Sequence, residues 1–266
     1  MESYQAVILA IVQGLTEFLP ISSSAHLALS PVLLGWPDQG LAFDVAVHVG
    51  TLTAVLMYYR RDLFSMASSW LGSLVGKGQD SDSQMVWYIA LATLPVAVVG
   101  WLGRGLIEQE LRSLLVIATT TLVFGLLLGI ADLRARDKSK AVPLSLSIAF
   151  LIGLAQALAP VPGVSRSGVT ITAALLLGMD RQSAARFSFL LSIPVIVSAG
   201  GMMSSQLYLS DAIVDWSILA LGALVSAITA YLCIAIFLRL LDRYGLMPYV
   251  YYRVILSVAL YLLVSV

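Results

Sequence analysis

Glu17-Phe18-Leu19-Pro20-Ile21-Ser22-Ser23-Ser24-Ala25-His26 puts a carboxylate, a proline, three hydroxyls and an imidazole into ten residues of an otherwise apolar region. Polar and ionisable groups at membrane depth are costly, so they default to a functional role. Proline removes an amide donor and clashes with the preceding turn, so residues 4–19 and 21–35 are expected as two half-helices with non-helical backbone between them. A second broken element lies far downstream, in Pro160-Val161-Pro162-Gly163-Val164-Ser165-Arg166-Ser167-Gly168-Val169-Thr170, and it separates residues 144–159 from 165–179. Such backbone is tolerated in a membrane only where it is buried in protein or lines a wet cavity. Two re-entrant hairpins are therefore expected, 4–35 and 144–179.

The rest of the chain supports an all-α polytopic membrane protein. Of its 266 residues 59% are hydrophobic and 11% charged, against about 25% charged in ordinary soluble domains. Six segments reach the roughly 20 residues that a bilayer core demands: 41–59, 85–103, 112–131, 186–206, 213–238 and 247–266. No long polar region is left over for a soluble domain, so one membrane domain covers 1–266. Zero net charge gives no electrostatic reason to expect a nucleic acid or another polyanion as partner. One cysteine, Cys233, excludes an intramolecular disulfide framework and a multi-cysteine metal site. The first residues carry no basic cluster and do not read as a cleaved signal peptide.

Each half of the chain holds one hairpin and three spans, about 1–133 and about 142–266. Three spans is an odd number, so the second copy is expected to be inverted relative to the first. Local similarity agrees: Ser22-Ser23-Ser24-Ala25 leads to Leu33-Leu34-Gly35 as Ser165-Arg166-Ser167-Gly168 leads to Leu176-Leu177-Gly178, and Phe43 and Phe187 open the next spans. This topology puts Arg60, Arg61, Lys77, Arg134, Arg136, Lys138, Lys140, Arg181, Arg186, Arg239 and Arg243 on one side. Only Arg104 and Arg112 fall on the other, with Arg166 in a hairpin and Arg253 inside the last span. The basic side is expected to be cytoplasmic, which places both termini outside. Gly200-Gly201 and Gly222 suit helix contacts within one chain or in a homodimer.

Gln13 and Glu17 are one turn apart on one helix face, and Ser23 and His26 are three apart on the returning half-helix. A buried carboxylate beside a histidine can orient the imidazole, as in nucleophile–base–orienter arrangements. Ser22, Ser23, Ser24, Ser165 and Ser167 precede helices, where serine is a favoured N-cap. The same helix N-termini are ready anion sites. Arg166 cannot lose its proton and needs an anionic partner, either Glu17 or a ligand phosphate that its planar fork would match. A phosphate also accounts for Gly163 and Gly168, which allow close backbone approach or serve the turn. His48 lies in an apolar span and is read as a packing or hydrogen-bonding histidine.

Gln13-Gly14-Leu15-Thr16-Glu17-Phe18-Leu19-Pro20-Ile21-Ser22-Ser23-Ser24-Ala25-His26 and Pro162-Gly163-Val164-Ser165-Arg166-Ser167-Gly168-Val169-Thr170 together resemble the undecaprenyl pyrophosphate phosphatase family of bacterial membranes, the bacitracin-resistance type. Similarity extends through Phe43–Arg61 and Phe187–Pro194, with Gln13 standing where the family's paired-glutamate motif begins and Ser24-Ala25 where Thr-Gly is common. The resemblance implies hydrolysis of undecaprenyl pyrophosphate to undecaprenyl phosphate and inorganic phosphate, which recycles the lipid carrier of peptidoglycan synthesis and protects against bacitracin. It implies a multi-pass protein of the bacterial inner (plasma) membrane, in contact with membrane lipid, whose active site opens to the outer face.

On that reading Glu17, Ser23, His26 and Arg166 are the catalytic candidates. Gln13, Ser22, Ser24, Ser165, Ser167, Gly168 and Thr170 are the substrate-binding candidates. Arg166 and the amides near Ser165–Gly168 are expected to clamp the pyrophosphate while Glu17 orients His26. His26 then activates Ser23 for in-line attack, or attacks itself or through a water. A divalent cation, Mg2+ or Ca2+, bridging Gln13, Glu17 and the phosphates would help a single arginine balance a pyrophosphate, although no dedicated metal motif is present. No organic cofactor is expected. The rival class is a transporter or lipid flippase, since inverted repeats with broken helices are also transporter architecture.

Overall fold

The computed structural model describes residues 1–103, 105, 107, 110, 111, 113–135, 141–209 and 215–264. Among these there are eleven helices and no strand: α1 (Ser3–Thr16), α2 (Ser23–Leu34), α3 (Gly40–Tyr58), α4 (Arg60–Leu74), α5 (Ser81–Leu102), α6 (Leu114–Arg134), α7 (Leu146–Gln156), α8 (Arg166–Leu176), α9 (Arg181–Leu209), α10 (Trp216–Tyr244) and α11 (Met247–Val264). Six of them, α3, α5, α6, α9, α10 and α11, are long and apolar enough to cross a membrane. These are the six segments expected from hydropathy. Of the charges used to orient them, Arg104, Arg112, Arg136, Lys138 and Lys140 lie outside the described residues.

The two pairs of short helices stop where proline chemistry stops them. A proline ring collides with the carbonyl four residues earlier. Pro20 therefore ends α1 at Thr16, and Pro160 ends α7 at Gln156. Beyond each end the chain turns without regular helix until Ser22 and Ser165 cap the next one. Carboxylate caps set two of the longer helices. Asp80 accepts from the Ser83 amide at 2.8 Å to start α5, an interaction that holds the Asp80 carboxyl below its ordinary range. Asp180 accepts from the Ser183 amide at 2.9 Å, so α9 begins at Arg181, ahead of the apolar run that marks it in sequence.

Helix α4 has no counterpart in the sequence reading, because its residues are too polar to register as a span. It packs back on α5 through Ser69, whose hydroxyl donates to Asp80 at 2.9 Å, and through an edge-on contact of Trp70 with Trp87, ring centroids 5.9 Å apart.

In an apolar solvent, helix association depends on close backbone approach and on hydrogen bonds between helices. Helix α10 lies along α3 and α1 at such points. A side chain added at Gly50 would begin 2.3 Å from the Ala223 carbonyl oxygen, and one at Gly14 would begin 2.8 Å from that of Ser226. The Ser226 hydroxyl donates to the Val47 carbonyl at 2.7 Å across the same seam. Gly153 of α7 meets the backbone of Ala92 on α5 in the same way. Gly222 is filled by the Phe43 ring, whereas Gly200 and Gly201 have nothing within 4 Å. The interior between these seams is aromatic, with Phe18, Phe189 and Phe237 in sequence at centroid distances of 5.3 and 5.6 Å.

Overpacking a closed seam costs about 1–3 kcal/mol or more. Gly50→Val should lower the melting temperature of the detergent-solubilised protein, while Gly200→Ala, facing open space, should leave it unchanged; static light scattering during a thermal ramp would report both.

Candidate active site

The two turns between short helices have the same backbone signature. Ser22 has φ 74 and Ser165 has φ 69, the two non-glycine residues with positive φ among the described residues. Such conformations cost of order 1–3 kcal/mol and persist only where the surroundings hold them. Each strained serine is tied to the hydroxyl two residues on: Ser22 to Ser24 at 3.1 Å, Ser165 to Ser167 at 3.2 Å. The residues between them, Ser23 and Arg166, open α2 and α8. The turns also touch each other, because the Ser167 hydroxyl donates to the Leu19 carbonyl at 2.9 Å.

What holds both turns is Arg253, fully buried on α11. Its NH1 donates to the Pro20 and Val164 carbonyls, both at 3.2 Å, and its NH2 to Gly163 at 2.8 Å and to Val164 at 3.2 Å. Its Nε donates to Thr121 of α6 at 3.1 Å, with NH2 also directed to Thr120 at 3.5 Å. A buried cation is tolerable when its hydrogens are taken up. Here they are taken up by main-chain oxygens of the two turns and of α6. Gly125 and Gly168 flank the arginine: an added side chain would lie 2.9 Å from Arg253 Cβ at Gly125, and 3.0 Å from NH1 at Gly168.

With the turns fixed, three side chains converge on Glu17. Oε2 accepts from Ser23 Oγ at 2.9 Å and from Gln13 Nε2 at 3.0 Å; Oε1 accepts from Arg166 NH2 at 3.2 Å. Arg166 also donates to the Ser188 carbonyl at 3.0 Å and stands 5.9 Å from the Phe18 ring centroid. The ion pair that the sequence weighed against an anionic ligand therefore forms, and it forms at the wall of a cavity of about 540 Å³. Glu17, Ser22, Ser23, Ser24, Ser165 and Arg166 line its polar end. Val96, Ala97, Gly100 and Trp101 of α5 and Val195, Ala199 and Met202 of α9 are among its other lining residues.

Five of the predicted site residues lie outside the cavity lining. His26 does not contact Glu17 or Ser23 through either ring nitrogen: Nδ1 lies 2.7 Å from the Ser22 carbonyl and Nε2 2.5 Å from the Tyr252 hydroxyl, with the two rings stacked. The ring is held against the Ser22 carbonyl and Tyr252 of α11 instead. Gln13 sits behind Glu17. Ser167 and Thr170 are buried, with Thr170 hydrogen-bonded to Ser188 Oγ at 2.7 Å. The Gly168 amide donates to Ser165 Oγ at 3.1 Å and is not free for a ligand, while Gly163 serves the turn at φ 87 against Thr120.

The sequence reading missed one ionisable member. His48 lines the cavity with Nε2 3.9 Å from Glu17 Oε2, and Thr93 and Ser198 add hydroxyl-bearing side chains. The rule that singled out Glu17, an ionisable group inside an apolar segment, applied equally to His48.

The residues do not fit a resident divalent cation. Both Glu17 oxygens face donors, one of them a guanidinium, and Gln13 turns its NH2 toward the same carboxylate. Among the described residues no group of three or more His, Cys, Asp or Glu comes together.

The chain has known relatives. Residues 6–259 match the family described as bacitracin resistance protein BacA. The chain belongs to that family. It is 55% identical over 264 residues to an undecaprenyl-diphosphatase of Teredinibacter turnerae, covering 99% of this chain and 100% of that one. It is 57% identical over 260 residues to an undecaprenyl-diphosphatase of Alcanivorax borkumensis, covering 98% of each. With six spanning-length helices, this member of the family is a multi-pass membrane protein.

A buried carbonyl or donor left without its partner costs about 1–3 kcal/mol. Arg253→Met removes all the hydrogen bonds that the guanidinium makes to the turns, and Arg253→Lys keeps at most three donors. Melting temperatures in detergent should rank wild type, then Lys, then Met.

Proposed function

We propose that the protein hydrolyses undecaprenyl pyrophosphate to undecaprenyl phosphate and inorganic phosphate, returning the lipid carrier to peptidoglycan synthesis and lowering the pyrophosphate available to bacitracin. The observation that carries this reading is the convergence of Ser23 and Arg166, from turns more than 140 residues apart, on one carboxylate in the wall of a cavity whose other lining is mostly apolar. A lipid diphosphate has the same division: charged oxygens at one end, isoprenoid at the other. The names of the relatives agree.

In the proposed reaction the terminal phosphoryl group lies between Ser23 and Arg166. Ser23 Oγ attacks phosphorus in line, its proton passes to Glu17 Oε2, and the bond to the bridging oxygen breaks to release undecaprenyl phosphate. The departing undecaprenyl phosphate takes that proton from Glu17; water then attacks the phosphoserine, Glu17 accepts a proton from it and returns it to Ser23 Oγ as the ester bond breaks, and inorganic phosphate leaves. The 2.9 Å contact of Ser23 Oγ with Glu17 is what favours Glu17 over His26 as the base. Arg166 exchanges its contact with Glu17 for the phosphoryl oxygens, since phosphoryl transfer is governed by positioning and electrostatics. Gln13 positions Glu17, and His26 positions the Ser22–Ser24 turn.

We read α1–α2 and α7–α8 as re-entrant hairpins of an inverted repeat. The matched proline stops, the matched strained serines and the meeting of the two turns support that reading. The basic side is cytoplasmic, both termini are outside, and the cavity opens outward, toward the ends of α5 and α9 that carry Trp101 and Met202.

Two measurements test these proposals. Purified protein should release phosphate from undecaprenyl pyrophosphate in detergent, and Arg166→Ala should lose on the order of 100–1000-fold. Phosphoserine should be trapped on wild type and not on Ser23→Ala. Absence of release from folded wild type would favour transport, which needs two compartments. For topology, single cysteines in a Cys233→Ser background should react with an impermeant maleimide from outside at Ser3 and only after permeabilisation at Lys77.

A further inference from the structure

The charge of the cavity poses a problem that His48 solves. The ionisable side chains lining it, among the described residues, are Glu17, Arg166 and His48. Glu17 and Arg166 are 3.2 Å apart and cancel. With His48 neutral, the polar end carries no net charge, yet the ligand of the proposed function is a polyanion entering from a low-dielectric environment. Burying unbalanced charge there is costly.

We propose that His48 is a phosphate ligand of this chain, protonated on Nε2 when the pyrophosphate is bound; the proposal rests on the phosphatase reading above. His48 Nδ1 lies 2.7 Å from the Asp44 carbonyl oxygen, one turn back on α3. A carbonyl only accepts, so Nδ1 carries the hydrogen and Nε2 is the nitrogen that gains or loses a proton. Nε2 stands 3.9 Å from Glu17 Oε2, beyond hydrogen-bond length, and His48 lines the cavity that would hold the ligand. As an imidazolium it gives the site one net positive charge and a charge-assisted donor beside Arg166.

The charged groups around His48 allow this assignment. From the end of α1 it faces Glu17, and from the start of α8 Arg166 lines the same cavity. On its own helix the Asp44 carboxylate accepts from Gln39 at 3.0 Å. Beyond the far end of α3, Arg60 of α4 donates to the Met57 carbonyl at 2.9 Å, and Arg186 of α9 pairs with Asp62 of α4 at 2.8 Å. On α10 the side chain facing α3 near this level is Ser226, which is not ionisable, and α2 turns His26 away onto Tyr252.

The experiment compares wild type with His48→Gln, which keeps a hydrogen-bonding group of similar size but cannot take up a proton. Phosphate release is measured from pH 6 to 8.5. Taking the ratio of the two proteins cancels titration of the substrate and of Glu17. The KM of His48→Gln should exceed that of wild type by about tenfold at pH 6, an energy near 1.4 kcal/mol. The ratio should fall toward one at pH 8.5, with kcat within a few-fold throughout. A ratio flat across pH overturns the proposal, and so does a loss confined to kcat, which would make His48 a participant in the chemical step. Failure of wild type to release phosphate at any pH would instead strike the phosphatase reading.

A second measurement does not depend on turnover or on the variant folding. The chain has 2 histidines, so histidine labelled with nitrogen-15 gives two imidazoles to follow. Titration with inorganic pyrophosphate should convert one of them from the neutral form to the imidazolium, and leave the other, held between Ser22 and Tyr252, unmoved. Saturating pyrophosphate with both imidazoles unmoved would overturn the assignment.

Discussion

The site depends on a cation buried without a carboxylate. Arg253 spends its guanidinium hydrogens on main-chain oxygens of two turns and of α6. The turn oxygens are available because prolines end α1 and α7 early and leave non-helical backbone in the interior. Neither side of this arrangement is tolerable alone. The turns without the arginine would leave buried carbonyls unpartnered, and the arginine without the turns would be an unsatisfied charge. Each makes the other affordable, and together they fix the distance between Ser23 and Arg166.

From that clasp the polar end of the cavity follows. Strained φ values at Ser22 and Ser165 turn the chain sharply, so that the next residue of each turn leads into the cavity. Glu17 accepts from both, and Gln13 supplies a third donor. A carboxylate so surrounded is held still while its charge is matched by the guanidinium, which is how an ionised pair remains tolerable inside an apolar bundle. The same matching leaves the cavity without net charge, and this gives His48 its significance.

Much of this architecture was legible in the sequence. Six spans could be read from hydropathy because the lipid solvent demands long apolar runs and six helices meet that demand. The broken helices could be read because proline acts locally, on the carbonyl four residues back. Helix α4 could not, since a polar helix packed against a neighbour has no composition that sets it apart. Glu17, Ser23 and Arg166 stood out as ionisable or hydroxyl groups in the wrong solvent, and they do meet. His48, read as a packing histidine because its span is apolar, lines the cavity, and the ring nitrogens of His26, close to Ser23 in sequence, meet Ser22 and Tyr252.

The sequence by itself determined where helices run, where they break, and which residue types must find polar partners inside. Those are consequences of hydrophobicity, of proline geometry and of the cost of buried charge, and each acts within a few residues along the chain. Only the tertiary structure decided which partner each group found. Arg253 reaches Pro20 and Val164, Arg166 reaches Glu17, and His48 enters the cavity while His26 stacks on Tyr252. These pairings join segments far apart in sequence, and the direction a side chain takes from its helix depends on rotation and packing that no local pattern records.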